Sequence, residues 1–72
     1  MITVYSKQNC VQCDITKSEL KKREIAFNEV DVSEDLEALD KILMLGYKAA
    51  PVVIAGEDSW SGFRPDKIKS LC

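Results

Sequence analysis

The sequence has no histidine, only three cysteines and no apolar run near the roughly 20 residues that a membrane span needs. Its net charge of −2 is spread over residues of both signs, so the chain offers no basic surface for nucleic acid. It opens on a strand-like pattern rather than on a basic stretch and a long apolar run, so no secretory signal is visible. We therefore expect a cytoplasmic protein that binds neither nucleic acid nor a membrane.

The 72 residues suffice for one small domain, and we expect it to span residues 1–72 and to act as a monomer. Hydrophobic residues make up 46% and charged residues 31% of the chain, which is typical of a folded globular protein. An odd number of cysteines argues against a secreted disulfide framework. A disulfide between the two closely spaced cysteines would stabilise the fold little, so reactivity explains that pair better.

The apolar pattern predicts an α/β fold with the element order β-α-β-α-β-β-α. Strands are expected at residues 1–5, 26–32, 52–54 and 59–61, where apolar residues alternate or run continuously. A right-handed crossover makes the first two strands parallel. The sequence therefore predicts a mixed, four-stranded central sheet with its three helices packed on both faces.

The first helix is expected at residues 13–22, and the third follows Pro65, a residue typical of a first helical position. The second helix is expected to have Ser33 as its N-cap and to stop at Gly46. Its apolar residues recur at helical spacing and predict a buried stripe made of Leu36, Leu39, Ile42 and Leu43.

The stretch Cys10-Val11-Gln12-Cys13 carries the chemistry that the sequence predicts. Two cysteines separated by two residues can close a disulfide ring when the second lies in the first turn of a helix, whose N–H groups and dipole stabilise a thiolate at the first. A cytosolic Cys-x-x-Cys beside a βαβ pattern is a general signal of thioredoxin-like redox chemistry. We expect Cys10, at an exposed helix tip, to attack a disulfide, and the more buried Cys13 to resolve the mixed disulfide.

The alternative for the dithiol is half of a metal site. A structural zinc ion takes four ligands, but the chain has no histidine and only Cys72 as a third thiolate. We therefore predict no metal. Lys7, three residues before Cys10, would place a cation near the thiolate, and the alternative is a solvated lysine on a loop.

Ala50-Pro51-Val52 precedes the buried third strand. A proline at this place is compatible with a cis peptide bond, although only about 5–6% of such bonds are cis. The alternative is a trans proline that starts a strand, which the spacing alone would favour. Because the chain also carries the dithiol, we predict the cis form instead.

A third unusual stretch is Trp60-Ser61-Gly62-Phe63-Arg64-Pro65-Asp66. Its two aromatic residues would pack in the core under the last helix, as most aromatic pairs do. The alternative is an exposed docking patch, because tryptophan and arginine are enriched at interaction hot spots. The residues alone do not decide between the two.

In these stretches the sequence closely resembles the NrdH-redoxins, the glutaredoxin-like hydrogen donors of class Ib ribonucleotide reductase. The matching pieces occur in the family's order and span nearly the whole chain: Val4-Tyr5-Ser6-Lys7, Cys10-Val11-Gln12-Cys13, Ala50-Pro51-Val52-Val53 and the run from Trp60 to Asp66. The run from Trp60 to Asp66 is highly specific for this family, whereas the dithiol alone would not identify it.

The resemblance implies a thioredoxin fold, with Cys10 and Cys13 as the redox pair, Pro51 as a cis-proline and residues 60–64 as a hydrogen-bonded turn beside them. It also implies a protein disulfide reductase without a bound cofactor, whose electrons come from NADPH through thioredoxin reductase. Glutaredoxins bind glutathione through a Thr-Val-Pro stretch and a glycine-rich turn with acidic residues. Here Ala49-Ala50-Pro51 and Ser61-Gly62-Phe63-Arg64 stand in those places, which argues against a glutathione site.

Three other functions compete with this interpretation: a glutathione-dependent glutaredoxin, a metal or iron–sulfur module, and a non-enzymatic adaptor that binds a partner through Trp60 and Phe63. No motif accounts for Cys72, which we expect to be a terminal thiol without a role.

Overall fold

A computed structural model describes residues 2–71, so Met1 and Cys72 lie outside the described residues, and with them the expectation for the Cys72 thiol. The described residues form seven elements in the predicted order β-α-β-α-β-β-α. The strands are β1 (Ile2–Ser6), β2 (Asn28–Asp31), β3 (Val52–Ala55) and β4 (Asp58–Ser61). The helices are α1 (Val11–Lys22), α2 (Leu36–Met44) and α3 (Pro65–Ser70). No helix within residues 2–71 has the length and apolar character needed to span a bilayer.

The described strands form one sheet in the order β2-β1-β3-β4. Strands β1 and β2 are parallel, as the crossover argument predicted, whereas β3 runs antiparallel to both β1 and β4. The predicted mixed, four-stranded sheet of a thioredoxin fold is therefore confirmed. Because β1 is central, the loop that follows it leaves from the middle of one end of the sheet.

Side chains of β1 alternate between the two faces of the sheet, and each face carries its own core. On one face Val4 packs with Leu20 of α1 and Ile68 of α3, and on the other Tyr5 packs with Ile42 of α2. Helices α1 and α3 therefore cover one face and α2 covers the other, which confirms that helices lie on both faces. The helix that bears the dithiol is held on a sheet whose central strands are buried.

Helix α2 corrects two predictions. Its N-cap is Asp35, whose Oδ1 accepts a hydrogen bond from Ala38 N at 3.1 Å, and not Ser33. The Ser33 N–H donates instead to Asp31 Oδ1 at 2.8 Å, in a turn that ends β2 before the helix begins.

The predicted apolar stripe of α2 is also only partly correct. Ala38 and Ile42, one turn apart, face the sheet, whereas Leu36 is 72% and Leu43 47% exposed. Leu36 is two residues from Ala38, which places it on roughly the opposite side of the helix, at about 100° per residue. The buried face of α2 is therefore narrower than the count of leucines indicated.

Candidate active site

The turn before the dithiol decides where α1 begins. Asn9 adopts a left-handed conformation with φ of 56°, which asparagine tolerates better than most residues. Cys10 follows with φ of −119° and is the N-cap: its carbonyl accepts the first helical hydrogen bond from Asp14 N at 3.1 Å. The helix thus starts at Val11, two residues earlier than predicted, because a cysteine sulfur caps it.

The Cys10 sulfur lies directly over the N-terminus of α1. Its Sγ accepts a hydrogen bond from Cys13 N at 3.1 Å. Near a helix N-terminus, unpaired N–H groups and the positive end of the dipole favour negative charge. This position is the one that stabilises a thiolate when Cys10 is reduced.

Cys10 and Cys13 are joined by a disulfide, with their Cα atoms 5.2 Å apart. Cys13 is fully buried, and Cys10 is 9% exposed. Cys10 is therefore the more accessible of the two, as predicted, but the prediction of an exposed helix tip was wrong. Its sulfur is turned back over the first turn of the helix to reach Cys13, and only a small part of the residue faces solvent.

Three chain segments meet at the end of the sheet that carries the dithiol. Tyr5 near the end of β1 pairs with Val52 at the start of β3, and Val52 pairs with Ser61 at the end of β4. The segments that continue from these strand ends are the dithiol loop, Ala50–Pro51 and the turn after Ser61. The structure thus brings together the three stretches that the sequence singled out.

Pro51 lies buried between the other two segments. The Ala50–Pro51 peptide bond is cis, as the resemblance implied. The Pro51 carbonyl accepts a hydrogen bond from Gly62 N at 2.8 Å, and Gly62 has φ of +78°, a conformation that favours glycine. This bond fixes the turn after β4 to the proline.

The turn also contacts Gln12, one of the two residues between the cysteines. Phe63 N donates a hydrogen bond to Gln12 Oε1 at 3.4 Å, and a Cβ placed on Gly62 would lie 3.4 Å from the same oxygen. Val11, the other residue between the cysteines, is 72% exposed. Both residues inside the disulfide ring are exposed, and of the two it is Gln12 that contacts the turn.

The structure resolves the two alternatives for the aromatic pair in favour of packing. Trp60 is 3% exposed within the core between the sheet and helices α1 and α3, and the half-buried Phe63 packs against that core. Trp60 Nε1 is buried without a hydrogen-bond partner among the described residues. The indole is thus a structural support beneath the turn rather than an exposed docking patch.

Arg64 follows the turn and is paired locally. Its Nη2 lies 2.9 Å from Asp66 Oδ2 and its Nε lies 3.2 Å from Oδ1, an exposed two-pronged contact at the start of α3. This hydrogen bonding raises the pKa of Arg64 and lowers the pKa of Asp66. Lys7 is exposed on the dithiol loop, and its supporting role stays a prediction.

Sequence reasoning missed a polar network one turn beyond Cys13. Lys17 Nζ lies 2.6 Å from Glu29 Oε2, and the buried Ser6 hydroxyl donates to that oxygen at 3.1 Å. The network joins α1 to β1 and β2. Lys17 also makes a weaker contact with Asp14, at 3.7 Å. Because these two residues are three positions apart on one helix, this is the one contact of the network that the sequence could have indicated.

Within residues 2–71, no group of three or more histidine, cysteine, aspartate or glutamate side chains is arranged to hold a metal ion. Cys10 and Cys13 are joined in a disulfide.

Comparison with known proteins agrees with this geometry. The glutaredoxin family model matches residues 2–60. The glutaredoxin-like protein NrdH of Lactococcus lactis subsp. cremoris is 45% identical over 71 residues, covering 99% of both chains. The Salmonella typhimurium protein of the same name is 46% identical over 70 residues, covering 97% of this chain and 86% of its own.

Among solved structures, the NrdH-redoxin of Escherichia coli superposes with a TM-score of 0.96 at 44% identity, covering 99% of this chain and 93% of its own. The similarity thus includes the dithiol, the proline and the turn after β4. This chain belongs to the glutaredoxin family, groups with its NrdH-type members, and is a thiol–disulfide oxidoreductase.

Proposed function

We propose that this chain is a protein disulfide reductase that donates electrons to class Ib ribonucleotide reductase and is itself re-reduced by thioredoxin reductase with NADPH. The observation that carries the proposal is the Cys10–Cys13 pair at the N-terminus of α1, next to Pro51 and the turn after β4. The relatives carry the name glutaredoxin-like protein NrdH, which supports the resemblance to the hydrogen donors of class Ib ribonucleotide reductase, and the E. coli NrdH-redoxin is described as having a thioredoxin-like activity profile.

Cys10 is the nucleophile in this proposal, because it is the more accessible sulfur and caps the helix. Its thiolate attacks one sulfur of the partner's disulfide, the partner's S–S bond breaks, and a mixed disulfide forms. Cys13 then loses its proton and attacks the Cys10 sulfur, which releases the partner as a dithiol. Two electrons and two protons pass to the partner, and the Cys10–Cys13 disulfide remains.

No bound cofactor takes part in these steps, since both electrons come from the two sulfurs. The disulfide left on the chain must be reduced again, and we propose a flavoprotein thioredoxin reductase as the donor rather than glutathione. The segment Ser61-Gly62-Phe63-Arg64 supports this choice. Its Phe63 N–H is bonded to Gln12, and its Arg64 guanidinium is engaged by Asp66 through Nε and Nη2, so the backbone donor is occupied and a carboxylate already faces the cation.

The remaining site residues support the dithiol in this scheme. We propose that the exposed Val11 contacts the partner's extended chain beside Ala50, and that the buried Pro51 and Val52 support this surface from beneath. Trp60 with the turn after it keeps the site rigid. Lys7 would add a cation near the thiolate. We further propose that the protein works as a cytoplasmic monomer.

One coupled assay tests the electron route. NADPH oxidation is followed with thioredoxin reductase, and in parallel with glutathione and its reductase, with ribonucleotide reductase of class Ib as the acceptor. We expect turnover in the first arm, none above background in the second, and none in either arm with Cys10→Ser. Robust activity with glutathione would favour a glutathione-dependent glutaredoxin, and stoichiometric zinc or a visible chromophore on the purified protein would favour a metal module.

A further inference from the structure

Gln12 has a contact that its place in the sequence does not suggest. It lies inside the ring that the Cys10–Cys13 disulfide closes, yet its side chain reaches across to a turn 51 residues further along the chain. Its Oε1 accepts the Phe63 N–H and lies at contact distance from the place where a Gly62 side chain would be. The contact joins the segment between the two cysteines to the turn after β4.

The turn has two polar anchors of different kinds. Gly62 N is bound to the Pro51 carbonyl, a contact between two backbone groups that no substitution at either side chain removes directly. Phe63 N donates to the Gln12 side chain over a longer distance, 3.4 Å, in an exposed position, and this contact depends on one amide. Helix α3 begins two residues later, at Pro65, so the Gln12 contact lies where the chain passes from sheet to helix.

We propose that Gln12 is a positioning residue: its amide oxygen holds the Gly62–Phe63 turn beside the dithiol, so that the turn forms a fixed wall of the site on which a partner protein docks. This proposal rests on the proposed disulfide reductase function. A protein partner must fit its backbone around Cys10, so it meets this wall. A small disulfide needs only access to the sulfur.

This difference predicts which reactions depend on Gln12. Loss of the oxygen leaves the turn held by the Gly62 bond and by the packing of Trp60 and Phe63, so the wall becomes more mobile at Phe63 and protein docking weakens. We expect the rate constant for a protein disulfide to fall about 2- to 10-fold, the range that corresponds to one net hydrogen bond. The rate constant for a small disulfide is expected to stay within about 1.5-fold of the wild-type value, because the Cys10 sulfur keeps its place as the N-cap of α1.

Two variants isolate the oxygen. Gln12→Met keeps the length of the side chain but has no oxygen acceptor, whereas Gln12→Glu keeps an acceptor and is expected to rescue the contact. Gln8→Ala is the matched control, since the contact of Gln8 with Ser33 is made by its backbone N–H and survives the change. The chain is reduced beforehand and mixed in a stopped-flow instrument with insulin or with 5,5′-dithiobis(2-nitrobenzoic acid), so no reductase enters the measurement.

The expected pattern is a selective loss with insulin for Gln12→Met, recovery with Gln12→Glu and no change for Gln8→Ala. Faster hydrogen exchange of the Phe63 amide in Gln12→Met alone is expected to accompany it. Equal losses with both disulfides, an unchanged insulin rate or an unchanged Phe63 amide would each overturn the proposal. None of these outcomes depends on thioredoxin reductase, so the electron route proposed above is judged separately.

Discussion

Lys17 Nζ on α1 lies 2.6 Å from Glu29 Oε2 on β2, and the Ser6 hydroxyl donates to the same carboxylate oxygen. The contact fastens the helix that bears the dithiol to the edge strand of the sheet. The hydrogen bond from Lys17, with smaller contributions from Ser6 and from nearby positive charge, lowers the pKa of Glu29 despite some desolvation. The same bond raises the pKa of Lys17.

These shifts predict how stability depends on pH. Because the pKa of Glu29 is lowered on folding, its carboxylate stabilises the fold above the ordinary glutamate value of about 4.3 and loses this effect as the pH falls through the folded value. Because the pKa of Lys17 is raised, its contribution is complete below about 10.4 and is lost as the pH rises through the folded value. We expect Glu29→Gln to lower the free energy of unfolding by up to about 1 kcal/mol at neutral pH.

Urea unfolding at pH 3, 7 and 11 measures this effect. The difference between the wild type and Glu29→Gln is expected to be largest at pH 7 and to shrink at both extremes. Glu57→Gln, in the exposed turn between β3 and β4, is the matched control and should have little effect at any pH. A constant difference across the three pH values would mean that the carboxylate charge is not what stabilises the contact.

The features that could be predicted from the sequence are those with a local signal. The alternation in β1 and the continuous apolar run at Val52 predicted strands, and chain topology alone predicted that β1 and β2 are parallel. The contact between Gln12 and Phe63 joins residues 51 positions apart and leaves no periodic pattern, so it could not be predicted. The same holds for Glu29 and Lys17, 12 residues apart.

Other residues were assigned the wrong structural role, because the same residue type can serve several roles. Ser33 is a good N-cap residue, but Asp31 bonds its N–H in a turn, and Asp35 caps the helix instead. Cysteine is not a usual N-cap residue, so the start of α1 was predicted too late. The burial of Cys10 depends on where its sulfur turns, and spacing does not determine that.

Asn9 is expected to matter through its backbone conformation. Its φ of 56° is disfavoured for residues with a branched side chain, and glycine adopts it without strain. Asn9→Val is expected to lower the free energy of unfolding by roughly 1–2 kcal/mol, whereas Asn9→Gly should be nearly neutral. Urea unfolding of both variants measures the difference. If both variants had the same stability, the left-handed turn would not be the constraint at this position.

The loop before Pro51 is tied to the edge strand β4 by a side-chain contact. The hydroxyls of Tyr47 and Ser59 lie 2.6 Å apart in a partly buried position. Tyr47→Phe is expected to cost about 0.5–1.5 kcal/mol, the usual net value of one hydrogen bond. A double-mutant cycle with Ser59→Ala measures the coupling, and the double variant should be no less stable than the worse of the two single ones. Simple additivity of the two losses would contradict a direct contact.

The roles of the two cysteines separate when each is replaced in turn. With Cys13→Ser, Cys10 still attacks a partner disulfide but nothing resolves the product, so a mixed disulfide is expected to accumulate and to be visible by mass spectrometry. With Cys10→Ser, little mixed disulfide should accumulate, because the remaining Cys13 is buried. Both variants are best studied with Cys72→Ser, a change that we expect to leave dithiol turnover unaffected.

The same background permits titration of Cys10 alone. In Cys13→Ser, the rate of alkylation of Cys10 by iodoacetamide is expected to have a midpoint below the value of about 8.5 for an ordinary cysteine, because the helix N-terminus favours the thiolate. The Cys13 backbone N–H that bonds the sulfur is retained in this variant. A midpoint at the ordinary value, or a mixed disulfide formed equally well by Cys13, would remove the basis for treating Cys10 as the nucleophile.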